Sequence, residues 1–202
     1  MAGTLCCFGD SITHGGRDDE MGGWVNRLKV RFMRAGHGDH VFNFGIGGDT
    51  AADLVRRFEH ELAHRNAEAI TLAVGANDVQ CLGDEAHPRF TADEYRDHLT
   101  HLVRAARRHA RWVFVLGITR IEADKCGRQP GRPVFLTARR VLLFDRTARE
   151  VADATGAWFI PMQDLLGAAD LADGVHPNAH GHERMAQQVF EALTASGFLE
   201  KA

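Results

Sequence analysis

Serine is almost missing from this chain: among its 202 residues only Ser11 and Ser196 carry that side chain. If the protein uses a serine nucleophile, Ser11 is nearly the only choice, because Ser196 falls in the last few residues. A charge excess is missing too. The formal net charge is −3, so no strong field gathers polyanions. The pairs Arg56-Arg57, Arg107-Arg108 and Arg139-Arg140 lie on helical patterns broken by acidic residues, which reads as solvated helix faces and not as a nucleic-acid contact. No apolar run is long enough to span a membrane, and the N-terminal residues show neither a basic region nor an apolar signal segment. The expectation is no membrane span, no signal peptide and a cytoplasmic setting. Cysteine is scarce, at four residues with no CxxC spacing, so the usual zinc and dithiol patterns are excluded. Cys6 and Cys7 fall in a buried strand pattern; Cys81 and Cys126 fall in expected loops. Repeats, low-complexity tracts and internal linkers are also absent.

What is present is a regular alternation. A hydrophobic content of 45% over 202 residues fills one core and is short for two, so residues 1–202 read as one domain. Apolar, β-branched or aromatic runs predict strands at Thr4–Phe8, His40–Phe44, Ala69–Val74, Trp112–Ile118 and Ala157–Pro161. Between them, helical spacing links Trp24, Leu28 and Phe32, with Gly36 as a stop. A second helix runs from a cap at Asp49 or Thr50 to about His64. Thr91-Ala92-Asp93-Glu94 fits a capping box, and its helix buries Tyr95, Leu99, Leu102 and Ala106. Ala138, Val141, Phe144, Ala148 and Val151 mark another helix, stopped near Gly156, and Met185, Val189 and Leu193 mark the last. Strand–helix alternation of this kind predicts an α/β fold: one five-stranded parallel sheet with helices on both faces. The polar stretch 119–132 between the fourth strand and the next helix is long enough for a binding loop or lid.

Ligands of such sheets bind beyond the carboxyl ends of the strands, near the switch point. Four features stand at four of those exits: Ser11, Gly48, Asn77 and His176. An alcohol needs a base to attack near neutral pH, and an imidazole, with an ordinary pKa of about 6.5, suits that task. His176 is the candidate base. Asp173, three residues earlier, can accept from one ring nitrogen while the other takes the Ser11 proton. Attack on a carbonyl places charge on oxygen, which needs donors already in position. The Gly48 backbone N–H, the Asn77 side-chain amide and the Ser11 backbone N–H can supply them. Each feature also has a plain structural use: Asp10 and Ser11 can close a turn or cap a helix, Gly48 can serve a tight turn, and Asn77 can satisfy loop carbonyls.

Gly9-Asp10-Ser11-Ile12-Thr13, Asn43 to Thr50 around Gly48, Gly75-Ala76-Asn77-Asp78 and Asp173-Gly174-Val175-His176 resemble, in order, the motifs of the GDSL or SGNH hydrolase family. The likeness covers nearly the whole chain. It implies a flavodoxin-like three-layer α/β/α sandwich and an activity among esterases, lipases, thioesterases and carbohydrate acetylesterases. Ser11 would be the nucleophile, His176 the base and Asp173 its partner, with Ser11, Gly48 and Asn77 as oxyanion hole. No cofactor and no metal are implied, and the partner is a small-molecule ester. Ile12 replaces the leucine of the family name. The Gly-x-Ser-x-Gly elbow is absent, which argues against the other common serine-hydrolase fold. The family's common proline-rich stretch is not apparent at Gly117 to Arg120.

Two other functions are compatible with these residues. His176, His180 and His182, with Asp173 nearby, can be read as a metal site activating a water, although His182 lies half a turn off the face shared by the other two. A non-catalytic small-molecule binding module on the same fold is the second. The loops 15–24, 79–90 and 119–134 are polar, basic and partly aromatic without a long apolar lid, which favours small soluble acyl esters over lipid aggregates. The oligomeric state has no signature in the sequence.

Overall fold

The computed structural model describes residues 3–38, 40–127, 131 and 133–200. Its central sheet is built from β1 (Leu5–Gly9), β2 (Val41–Gly45), β3 (Ala69–Ala73), β5 (Trp112–Leu116) and β7 (Trp158–Ile160). All are parallel, in the order β2-β1-β3-β5-β7. β4 (Cys81–Leu82) and β6 (Val134–Phe135) pair with each other as a small antiparallel ribbon. The chain moves outward from β1 to β2, then returns to the other side of β1 to lay down β3. That reversal puts a crevice outside the carboxyl ends of β1 and β3.

Side chains alternate across each strand, so the sheet carries two cores. Cys6 and Phe8 of β1 point to one face, which they share with Leu54 and Phe58 of α3 (Ala51–Leu62), Leu99 and Leu102 of α4 (Ala92–His109) and Val141 and Phe144 of α6 (Ala138–Thr155). Leu5 and Cys7 point to the other. Trp24, Leu28 and Phe32 of α2 (Trp24–Arg34) cover that face with Met185, Val189 and Leu193 of α7 (Ala179–Ala195). Each fully buried side chain of this size is worth about 1.5–3 kcal/mol relative to exposure. Among the described residues no helix is long and apolar enough to cross a membrane.

The helix starts follow local chemistry. Thr50 caps α3 with Asp53 bonding back to it, and Thr91 caps α4 with Glu94 doing the same, each cap worth about 1 kcal/mol. The 119–132 stretch is more ordered than a plain loop: it holds α5 (Ala123–Cys126), and β6 follows. Residues 128–130 and 132 of it lie outside the described residues. The two cysteines expected in loops sit instead in β4 and α5. All four cysteines are buried. Two-residue strands and single-turn helices leave no periodicity to read, because neither a period of 2 nor one of 3.6 repeats within them.

Candidate active site

Ser11 opens α1 (Ser11–His14), a single turn set directly on the end of β1. Gly9 makes that placement possible: a Cβ there would lie 2.2 Å from the Thr13 hydroxyl and 2.3 Å from the Ala73 carbonyl. Asp10 caps the turn by accepting from the Ile12 N–H at 3.0 Å. Asn43 of β2 ties it down by donating from Nδ2 to the Thr13 carbonyl at 2.9 Å. Asp10 therefore has the capping role open to it in the sequence, and Ser11 is left to face outward.

Ser11 Oγ lies 2.8 Å from His176 Nε2. On the far side of the ring, Nδ1 is 2.9 Å from Asp173 Oδ2 and 3.1 Å from Oδ1. The same carboxylate also accepts from the backbone N–H groups of Val175 at 3.1 Å and His176 at 2.9 Å, and it faces the Arg17 guanidinium at 3.3 Å. Burial alone pushes the Asp173 carboxyl up. The bonds from the His176 backbone and ring and from Val175 outweigh it and bring it down to about 2. Asp173 is thus an anion over the working range, which suits it to stabilise an imidazolium at His176.

Across from this pair, the end of β2 turns through Ile46-Gly47-Gly48-Asp49 into α3. Gly48 has φ of +89°, a conformation that side chains with a Cβ rarely adopt. A Cβ on Gly47 would stand 3.9 Å from that of Ser11, so this turn borders the serine. Asn77, just past β3, donates from Nδ2 to the Asp49 carbonyl at 2.9 Å. A primary amide has two hydrogens, so one N–H is spent on the loop carbonyl and a second stays available. Both carboxylate oxygens of Asp78 accept from the Ala51 N–H, at 3.0 and 3.1 Å. Arg57 of α3 donates to the carbonyls of Gly9 at 3.1 Å and Phe44 at 2.9 Å and to Asp49 Oδ2 at 2.6 Å. The exits of β1, β2 and β3 are in this way laced together behind the candidate donors.

The structure separates the three histidines of the C-terminal segment. His176 serves Ser11 and Asp173. His180 is 72% exposed and pairs with Asp170 at 2.6 Å. His182 is fully buried, accepts from the Trp24 N–H at Nδ1 (3.2 Å) and donates from Nε2 to the Gly16 carbonyl (3.1 Å). A donor on one side and an acceptor on the other select the neutral ring protonated at Nε2, and burial lowers its pKa in the same sense. Among the described residues no group of three or more His, Cys, Asp or Glu is placed to hold a metal ion.

Sequence reading offered His182 as a metal ligand and missed both its buried structural role and the Asp18–Arg27 pair. Asp18 accepts from the N–H groups of Glu20, Met21 and Gly23 and from the buried Arg27 guanidinium at 2.8 and 3.0 Å, which holds its carboxyl well below the usual range. This clamp and His182 fix the 15–24 loop against the site: a Cβ on Gly16 would stand 3.8 Å from the His176 ring. Arg27 hid within the apolar stripe of α2. His182 has no pattern of its own, because its partners come from distant parts of the chain.

Asp10 and Ile12, on either side of Ser11 in the chain, line a mostly apolar cleft of about 310 Å³, mouth included, with Ala76, Leu116, Ile118 and Met185; Ser11, Gly48, Asn77 and His176 are not part of its lining.

Comparison with known proteins agrees with this fold. The sequence profile of the GDSL-like Lipase/Acylhydrolase family matches residues 7–184. An acetylxylan esterase of Geobacillus stearothermophilus is 27% identical over 208 residues, covering 91% of this chain and 90% of that protein. The crystal structure of Axe2, an acetylxylan esterase from Geobacillus stearothermophilus, superimposes with a TM-score of 0.74 at 25% identity, covering 95% of each chain. The uncharacterized lipoprotein YqeF of Bacillus subtilis is 32% identical over 110 residues. That stretch is 52% of this chain and 44% of the lipoprotein, so the likeness spans less than half of that relative.

Proposed function

The chain belongs to the GDSL-like lipase/acylhydrolase family and is a carboxylic ester hydrolase, and we propose that it works through an acyl-enzyme at Ser11 on short-chain acyl esters, acetyl esters above all. The observation that carries the mechanism is the hydrogen-bonded line Ser11 Oγ–His176 Nε2 and His176 Nδ1–Asp173 Oδ2, at 2.8 and 2.9 Å.

In this reading His176 Nε2 takes the Ser11 proton as Oγ attacks the ester carbonyl. The ring becomes an imidazolium held by the Asp173 anion. Charge collects on the former carbonyl oxygen, facing the N–H groups of Ser11 and Gly48 and the free N–H of Asn77. Collapse of the tetrahedral intermediate breaks the bond to the alcohol oxygen, which leaves with the proton from His176. A water then attacks the acyl-serine, giving its proton to His176, and the carboxylic acid departs as Ser11 recovers its hydrogen. The preference for acetyl is supported by the acetylxylan esterase relative, which acts on an acetyl ester by its name.

Two measurements test the reading. A fluorophosphonate probe should label the wild type at Ser11 and leave Ser11→Ala unlabelled; a folded wild type that resists labelling would favour the non-catalytic binding module. Hydrolysis of p-nitrophenyl acetate should vanish in Ser11→Ala, and activity should fall from acetyl through butyryl to longer esters. Faster turnover of long-chain esters would reject the short-acyl assignment while leaving the serine mechanism standing.

A further inference from the structure

The amide of Asn77 can turn end for end at almost no steric cost, because the last torsion of an asparagine is broad and its two ends have nearly the same shape. Only its neighbours decide whether it offers an N–H or an oxygen to the reacting centre. Those neighbours form a line. Arg89 Nη1 donates to Gln80 Oε1 at 3.0 Å. Gln80 Nε2 donates to Asn77 Oδ1 at 3.1 Å. Asn77 Nδ2 donates to the Asp49 carbonyl at 2.9 Å. Arg89 is held in place by its own backbone N–H, which donates to the Gln80 carbonyl at 2.8 Å.

A guanidinium has donors and no acceptor. The Gln80 oxygen must therefore face Arg89, its NH2 must face Asn77, and the Asn77 oxygen is drawn away from Ser11. We propose that Gln80, polarised by Arg89, is a positioning residue that fixes the Asn77 amide with its nitrogen toward the developing oxyanion. The inference rests on the reading of Asn77 as an oxyanion donor. Gln80 and Arg89 lie in the 79–90 loop, which belongs to none of the four motifs.

The decisive variant is Gln80→Glu. It keeps the size of the side chain and its partnership with Arg89, but it has no N–H to give. Its second oxygen then faces Asn77 Oδ1, and the amide loses its aligned pose: turned end for end it offers the oxyanion an oxygen and meets the Asp49 carbonyl, and left in place it is pushed off the new carboxylate. In p-nitrophenyl acetate hydrolysis, kcat of Q80E should fall about 10²–10³-fold, the size of losing one oxyanion donor, with KM little changed. Gln80→Ala and Arg89→Met, which leave the Asp49 carbonyl to orient the amide alone, should each lose about fivefold to tenfold.

Asn77→Ala should match Q80E, and the double variant N77A/Q80E should be no slower than N77A, because the effect of position 80 passes through residue 77. Wild-type kcat in folded Q80E overturns the proposal. A Q80E loss of equal size in the N77A background overturns it as well, since a purely structural role gives that result. Should Q80E fail to fold, Q80A and R89M decide, and wild-type kcat in both overturns it. Failure of the underlying reading looks different: N77A keeps wild-type kcat, or Ser11→Ala stays active.

Discussion

The two halves of the site are held in contrasting ways. The acid–base half is local: Asp173 and His176 sit in one turn, and the carboxylate that grips the ring also accepts the N–H groups of Val175 and His176 that build the turn. The proposed oxyanion half is assembled from the exits of three strands, joined by bonds between distant residues such as Asn77 to Asp49, Asp78 to Ala51 and Arg57 to Gly9 and Phe44. Two carboxylates show what that difference does to charge. Asp173, with the N–H groups of Val175 and His176, the His176 ring and the Arg17 guanidinium pointed at it, is held at about 2. Asp10 is fully buried under the Ser11 turn, and burial pushes it up to about 7 against backbone bonds from Ile12 and from its own N–H, with repulsion from Asp78 and Asp49 adding to the rise. The residue type is the same; full burial beside other carboxylates raises Asp10, while the His176 ring and the turn's own N–H groups lower Asp173.

Breaking the local half should have the largest effect. His176→Ala removes the base, and kcat for p-nitrophenyl acetate should drop about 10⁵–10⁶-fold with the fold intact. A loss under tenfold would mean that some other group takes the Ser11 proton. Asp173→Asn comes next. It keeps the oxygen that caps the turn but loses the anion, and kcat should fall about 10⁴-fold. If D173N instead unfolds the protein, the carboxylate matters more to the turn than to the ring. The Asn77 and Gln80 variants follow on the oxyanion side, with losses no larger than about 10³-fold.

The smallest effect on rate, and the sharpest test of the contrast in charge, belongs to Asp10→Asn. The folded Asp10 binds its proton more tightly than the unfolded chain does, since its pKa rises from 3.8 to about 7. Its contribution to stability is complete below about pH 4 and is lost as pH rises through about 7. Asparagine keeps the cap to Ile12 and never ionises, so the melting temperature of D10N relative to wild type should climb between pH 4 and 8. Asp173 has the opposite sign. Lowered from 3.8 to about 2, it contributes above pH 4 and loses that contribution as pH falls through about 2. Parallel melting curves for D10N and wild type across pH 4 to 8 would show that Asp10 is ionised in the fold.

Much of the architecture was legible. The five main strands lie within one or two residues of their expected bounds, because each is a short run rich in apolar residues that ends at glycine or a polar loop, with β1, β3 and β5 buried along nearly all their length. Thr91–Glu94 formed the capping box its spacing implies, and Thr50 capped α3. Asp173 and His176 met because three residues of turn leave them little choice. The ribbon of β4 and β6 stayed hidden, since two-residue strands carry no pattern. So did the buried pair Arg27–Asp18, the ring of His182 between Trp24 and Gly16, and the Arg89–Gln80–Asn77 line.

By itself, then, the sequence determined the order of strands and helices, the scarcity that singles out Ser11, and the turn in which Asp173 and His176 lie side by side. Those are properties of neighbouring residues, set by periodicity, capping and chain stiffness. The tertiary structure alone decided that His176 reaches Ser11 across 165 positions, that His180 and His182 point elsewhere, that Asp10 and Asp173 differ in charge, and which way Asn77 faces. Each of those depends on which distant N–H or carbonyl the fold brings within 3 Å or so of a polar atom, because hydrogen bonds and burial act through space while sequence patterns act along the chain.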